Sequence, residues 1–96
     1  MSLYFVQHQH NPEACPAKDP QQGEMLMKHI DRANAEKFGL QILSEAVLDD
    51  RHTFVLIMDA DNPAQIEGFM QPFKQAGRIE IWPASSCESV VKRAGC

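Results

Sequence analysis

The fold of this chain is decided by LQILSEAVLDDRHTFVLIMDADNPAQ, residues 40–65. Two runs of aliphatic and β-branched residues, 40–48 and 53–60, are separated only by the polar residues 49–52. A connection this short between two strand-like runs predicts a β-hairpin. Residues 62–65 then predict a helix start, because Asn caps helices, Pro suits the first helical position and Gln stands three residues after the cap.

The same kinds of signal occur on both sides of this hairpin. Residues 3–7 (LYFVQ) predict a short buried strand, and residues 19–22 (DPQQ) repeat the pattern of cap, proline and glutamine. Residues 78–84 alternate polar and apolar side chains, as a half-buried strand does. Residues 85–88 (SSCE) have the spacing of a capping box and predict a short C-terminal helix that ends at Arg93. The predicted order is therefore β-α-β-β-α-β followed by a helix.

The first helix is predicted to begin at Pro20 and to end after Phe38, because its apolar residues recur at helical spacing. Met25 and Met27 are assigned to its packed side. His29 has polar neighbours and is predicted to face solvent.

Two matching strand–helix units in one chain predict a single α+β domain over residues 1–96, with the split βαβ, ferredoxin-like arrangement. Right-handed crossovers place the first strand at the centre of the sheet, antiparallel to the third. Two helices cover only one face of such a sheet, whereas the first and third strands are apolar on both faces. We therefore expect a second copy of the chain to cover the other face and form a dimeric α+β barrel, with Trp82 at the interface.

Composition excludes several classes of function. The chain has 96 residues, of which 44% are hydrophobic and 23% charged, and a net charge of -4 with no basic cluster, so we expect no nucleic-acid binding. No apolar run is long enough for a transmembrane span and no export signal is visible, so we expect a cytoplasmic protein without membrane contact. Cys15, Cys87 and Cys96 are odd in number and far apart, which predicts reduced thiols.

The segment HQHNPEACP, residues 8–16, is the strongest candidate for a functional site. His8 and His10 are two positions apart, so in an extended strand both rings project from the same face. His52 begins the third strand, and antiparallel pairing brings it to the end of the first strand. The topology therefore predicts a cluster of imidazoles at this end of the sheet.

Two further side chains are candidates for the same cluster. Cys15 follows in the loop and is predicted to fold back over the end of the sheet, and Glu13 is a candidate ligand or an acceptor for a ring N–H. Histidine and cysteine together favour a transition metal such as Ni, Zn or Cu over magnesium or calcium. The first hypothesis is thus a metal site formed by His8, His10, His52 and Cys15.

Other interpretations of these residues stay open. In an enzyme or small-molecule binder, His8 or His10 would act as a base at the mouth of the barrel cavity, and Arg78 would contact an anion at the same end of the sheet. In a structural interaction module, the histidines would only hydrogen-bond the proline-rich loop.

The segments LYFVQHQHNPEACPAKDP (3–20), FMQPFKQAG (69–77) and PASSCE (83–88) resemble a family of small uncharacterised proteins of the dimeric α+β-barrel type. More distantly, the chain is similar to small nickel-binding ferredoxin-like proteins and to cofactor-free monooxygenases of the same barrel superfamily. The resemblance implies a ferredoxin-like fold and a homodimer. A shared fold does not by itself imply a shared function.

Overall fold

The four strands form one antiparallel sheet. In a computed structural model, which describes residues 1–96, the strands follow each other across the sheet in the order β2-β3-β1-β4. The α+β class is confirmed, with β1 between β3 and β4 and antiparallel to both. The strands are β1 (Ser2–His10), β2 (Gln41–Leu48), β3 (Thr53–Ala60) and β4 (Gly77–Ala84).

Five short helices accompany the sheet, and none is long and apolar enough to span a membrane. Asp19 caps α1, where its carboxylate accepts a hydrogen bond from the Gln21 N–H at 2.9 Å. Asn62 caps α3 in the predicted way, whereas α5 is capped by Ser86 and not by Ser85. The helices are α1 (Pro20–His29), α2 (Arg32–Lys37), α3 (Pro63–Phe69), α4 (Gln71–Lys74) and α5 (Cys87–Lys92).

The prediction of one helix from Pro20 to Phe38 is wrong, because the helix breaks between α1 and α2. Asp31 lies at the break with an extended backbone, and its carboxylate accepts a hydrogen bond from the Ala33 N–H at 3.3 Å. A side chain that caps a new helix in this way ends the preceding one. Pro72 ends α3 for a different reason, since proline has no N–H to donate to the carbonyl four residues earlier.

The core lies between the helices and one face of the sheet. Strands β1 and β3 supply alternate residues to it, as the period of a strand requires. Helices α3 and α4 pack their apolar side chains onto that face. The buried side chains from these four elements are Tyr4, Val6, His8, Thr53, Phe54, Leu56, Met58, Ala60, Ile66, Phe69 and Phe73.

The opposite face of the sheet carries no helix and stays apolar at its centre. Phe5 lies opposite Ile57 on one side and Trp82 on the other. The rings of Phe5 and Trp82 stack with their centroids 5.8 Å apart. Ile57 is 39% exposed and Trp82 44% exposed, so this face presents large apolar side chains to solvent. We call Phe5, Ile57 and Trp82 the open-face cluster.

Candidate metal centre

Strand β1 continues three residues beyond its predicted end, so His8 and His10 both lie within the strand. Their rings project from the face that the helices cover and stack with their centroids 5.4 Å apart. His8 is only 2% exposed and packs edge-on against Phe73 of α4. The polar end of β1 thus runs under the helix layer.

His52 reaches the same place from the turn between β2 and β3. The His10 N–H donates a hydrogen bond to the His52 carbonyl oxygen at 3.1 Å, and the two rings meet edge to face at 5.2 Å. His52 has a φ of 47° and Asp50 a φ of 61°, both in the left-handed region. For a residue with a Cβ this conformation costs about 1–2 kcal/mol. The tight turn that places His52 beside His10 therefore holds two strained residues.

Cys15 is held in place by two consecutive 3₁₀ turns, Pro12–Ala14 and Pro16–Lys18. Its N–H donates to the Pro12 carbonyl at 3.4 Å, and its own carbonyl accepts from the Lys18 N–H at 3.2 Å. Each turn begins with a proline, whose ring fixes φ near the value the turn needs. The Cys15 thiol is free and half-buried.

His10, Cys15 and His52 form a group whose ligand atoms all lie within 4.8 Å of one another. A tetrahedral zinc ion, with Zn–N bonds of about 2.0 Å and Zn–S bonds of about 2.3 Å, has neighbouring ligand atoms about 3.3–3.8 Å apart. The three side chains would need to approach each other by about 1 Å to reach that geometry.

The two ring nitrogens of His10 are buried and have no hydrogen-bond partner. Buried polar atoms are almost always hydrogen-bonded, because an unpaired one loses its hydrogen bonds to water and gains none within the protein. A bond from one of these nitrogens to a metal ion would satisfy one of the two unpaired atoms. The residues present therefore fit a bound transition metal.

Burial lowers the pKa of the His8 imidazole, and a hydrogen bond with the Phe73 backbone opposes this effect. The proximity of His10 lowers the pKa of His8 further. Burial also lowers the pKa of His10, and charge repulsion from His52 adds to it. Both imidazoles are thus kept in the neutral form, which is the form that binds metals.

These shifts predict how the metal-free protein responds to acid. Unfolded histidine has a pKa of 6.5, and the folded pKa of His8 is lower, so the unfolded chain binds the proton first as the pH falls. The free energy of unfolding should be insensitive to His8 above pH 6.5 and should fall below it, by up to about 1.4 kcal/mol per pH unit for one proton. Urea unfolding between pH 5 and 8 with a chelator present measures this.

A His8→Leu variant is the matched comparison, since carboxylate titrations are common to both proteins. Its stability should fall less steeply below pH 6.5 than that of the wild type. Equal slopes would show that His8 does not contribute to the acid sensitivity.

Residues 3–95 match the family described as a domain of unknown function, DUF3303. The chain belongs to this family. No curated protein matches the sequence.

The other predicted site residues of this DUF3303 chain lie outside the three-residue group. His8 stacks on His10 but is not one of the three clustered residues. Glu13 is exposed in the first 3₁₀ turn. Arg78 does lie at the predicted end of the sheet, paired with Gln9, and its guanidinium contacts the Glu80 carboxylate at 3.3 Å. An arginine already paired with a carboxylate is less available to an anion.

The prediction that His29 faces solvent is wrong. Its Nε2 donates a hydrogen bond to the Phe69 carbonyl at 2.6 Å, and its ring stacks on the Phe69 ring with the centroids 4.6 Å apart. Asn34 donates to the His29 carbonyl at 2.7 Å. His29 therefore links the end of α1 to α3, and its partner lies 40 residues away in the chain, where no local pattern reveals it.

The hypothesis of a base at the mouth of a barrel cavity does not fit this geometry. A cavity between two packed sheets would lie on the open face, which carries Phe5 and Trp82. His8 and His10 project from the opposite face, where His8 contacts Phe73. Neither imidazole therefore projects into that cavity or could act as a base there.

Proposed function

We propose that this protein binds one transition-metal ion through His10 Nδ1 or Nε2, the Cys15 thiolate and a ring nitrogen of His52. The observation that carries the proposal is the convergence of these three ligand atoms within 4.8 Å. The buried and unpaired ring nitrogens of His10 support it, because a metal bond would satisfy one of them.

The donor set indicates which ions are suitable. Two imidazoles and one thiolate suit zinc, nickel or copper, whereas magnesium and calcium prefer oxygen ligands. Three protein ligands leave one position of a tetrahedral ion open, as in catalytic zinc sites. The thiolate must stay reduced, so the proposal places the protein in the cytoplasm, and its three cysteines are all free.

The test is metal binding by protein prepared without a histidine tag and stripped with a chelator. Titration with Co²⁺, as a spectroscopic substitute for zinc, should give one ion per chain, with absorption bands of a tetrahedral site and of cobalt–thiolate charge transfer. Zn²⁺, Ni²⁺ and Cu²⁺ should each raise the melting temperature, because they bind the folded state. No bound metal and an unchanged melting temperature would contradict the proposal.

We also propose that the chain is a ferredoxin-like domain and that a second copy covers its open face. Support comes from the strand order β2-β3-β1-β4 and from the exposure of Ile57 and Trp82 on a face without helices. Monomeric proteins rarely expose large contiguous apolar patches. A symmetric pair of such sheets would bury the open-face cluster of both copies and form a dimeric α+β barrel.

Sedimentation of the wild type and of a Trp82→Glu variant tests this proposal. The wild type should sediment as a dimer at micromolar concentration, and the variant as a monomer, because the interface would bury an unpaired carboxylate. Metal affinity should be the same in both, since Trp82 lies on the opposite face of the sheet from His10. A monomeric wild type would refute the dimer and leave the metal proposal standing.

A further inference from the structure

A cavity of about 550 Å³ adjoins the candidate metal centre on the helix-covered side of the sheet. His10, Cys15 and His52 all form part of its wall. The rest of the wall is largely apolar and includes Leu26 of α1 and Phe54 of β3. Its volume lies within the range typical of small-molecule sites, about 300–1,000 Å³. A molecule in this cavity would lie beside the three residues that would hold the metal.

His8 also lines this cavity, and its Nε2 has no hydrogen-bond partner although the side chain is only 2% exposed. A buried polar atom without a partner is costly. An N–H or O–H group of a bound molecule would satisfy it. This atom is a second indication of a ligand, separate from the three clustered donors.

The charged side chains around the cavity are all acidic. Glu45, Asp49 and Asp50 line it, and no lysine or arginine does. Negative charge at the entrance disfavours anionic ligands and tolerates neutral or cationic ones.

Gly23 forms part of one wall of the cavity. It lies within α1, where glycine costs about 1 kcal/mol relative to alanine. A Cβ at this position would meet no atom within 4 Å, and the backbone has no left-handed φ that would require glycine. Neither packing nor backbone conformation therefore requires this glycine, and a larger side chain at this position would stand at the wall of the cavity.

We propose that the cavity binds a neutral or cationic small molecule with an apolar body and a nitrogen donor, which takes the open position on the metal. A separate N–H or O–H group of the ligand donates a hydrogen bond to His8 Nε2. Val47 and Met27, both exposed although Met27 was predicted to pack, provide apolar surface at the entrance. This inference rests on the proposed metal site.

The probe for this site is 4-phenylimidazole, which is neutral, has an aryl body, and offers one nitrogen donor and one N–H. Added to the Co²⁺-loaded protein, it should shift the cobalt absorption bands in a saturable manner. Benzoate has a similar body and an anionic head, and it should bind about tenfold more weakly or worse, a difference of about 1.4 kcal/mol. Equal binding of benzoate would overturn the assignment of ligand class.

Substitutions of two helical glycines test whether the probe binds in this cavity. Gly23→Leu adds a bulky side chain at the wall of the cavity and should weaken probe binding about tenfold or more, while the bands of bound Co²⁺ without probe stay the same. Gly68→Leu is the matched control, because Gly68 also lies in a helix with nothing within 4 Å of an added Cβ and does not line the cavity.

Three results would overturn the inference in distinguishable ways. If Co²⁺ gives no bands in the wild type, the metal site fails and the inference fails with it. If the bands appear and the probe does not shift them, only the cavity ligand fails. If the probe binds equally to Gly23→Leu and Gly68→Leu, it reaches the metal by another route and the cavity is not its site.

Discussion

A Cys15→Ser variant is expected to lose at least about 100-fold in Zn²⁺ affinity, since loss of an outer hydrogen-bond partner of a ligand alone costs about 10–100-fold. Serine has nearly the shape of cysteine, but its hydroxyl does not ionise near neutral pH and is a poor ligand for a soft ion. The thiol is half-buried in a loop held by Pro12 and Pro16, so the fold should survive. Competition with a chromophoric chelator measures the affinity.

Cys87→Ser is the control for this substitution. Cys87 is also a free cysteine, but it is exposed at the start of α5 and lies outside the three-residue group. Its replacement should leave the Zn²⁺ affinity unchanged. Equal losses in the two variants, or no loss in either, would remove Cys15 from the site.

The role of His52 as a metal ligand can be tested separately from its role in the backbone conformation of the turn. Its φ of 47° is tolerated best by glycine and asparagine. His52→Asn should therefore keep the turn and the stability of the protein while it loses Zn²⁺ affinity to a similar degree as Cys15→Ser. A variant that binds zinc as tightly as the wild type would show that His52 is not a ligand.

Much of the fold could be predicted from the sequence, because its signals are local. The tetrapeptide 49–52 between two apolar runs indicates a hairpin, and Asp19 and Asn62 cap the helices that follow them. The meeting of His10 with His52 was predictable too, since a hairpin and two crossovers leave few places for β1. The hairpin and the helix caps are thus determined by residues within each element, whereas the meeting of His10 with His52 follows from the order of the strands.

The composition of the site was less predictable, because it depends on register and on contacts between distant residues. The alternation of Gln7, His8, Gln9 and His10 looks like a polar loop after an apolar strand, yet it continues the ladder to both β3 and β4. Which face His8 and His10 occupy is decided by that ladder, and it places them under the helices. This placement explains why Cys15, and not His8, forms the group with His10 and His52.

Gly77→Ala is expected to destabilise the protein by about 1–3 kcal/mol or more, the usual cost of overpacking a well-packed position. Gly77 begins β4 directly opposite His10 of β1. A Cβ on residue 77 would overlap the carbonyl oxygen of Gln9 and lie 3.0 Å from the Cα of His10. These are backbone atoms, so no rotation of a side chain relieves the clash, and the end of β1 must move away from β4.

The same displacement should weaken metal binding, although residue 77 supplies no ligand. The three ligand atoms are within 4.8 Å of each other only while β1 holds His10 in register beside His52 and Cys15. Gly77→Ala should therefore lower both the free energy of unfolding in urea and the Zn²⁺ affinity. Gly68→Ala, where an added Cβ meets open space in α3, should leave the affinity unchanged and stabilise the helix by up to about 1 kcal/mol. If Gly77→Ala unfolds more easily but binds zinc normally, the position of His10 does not depend on the β1–β4 pairing, and β3 with its turn alone holds the site.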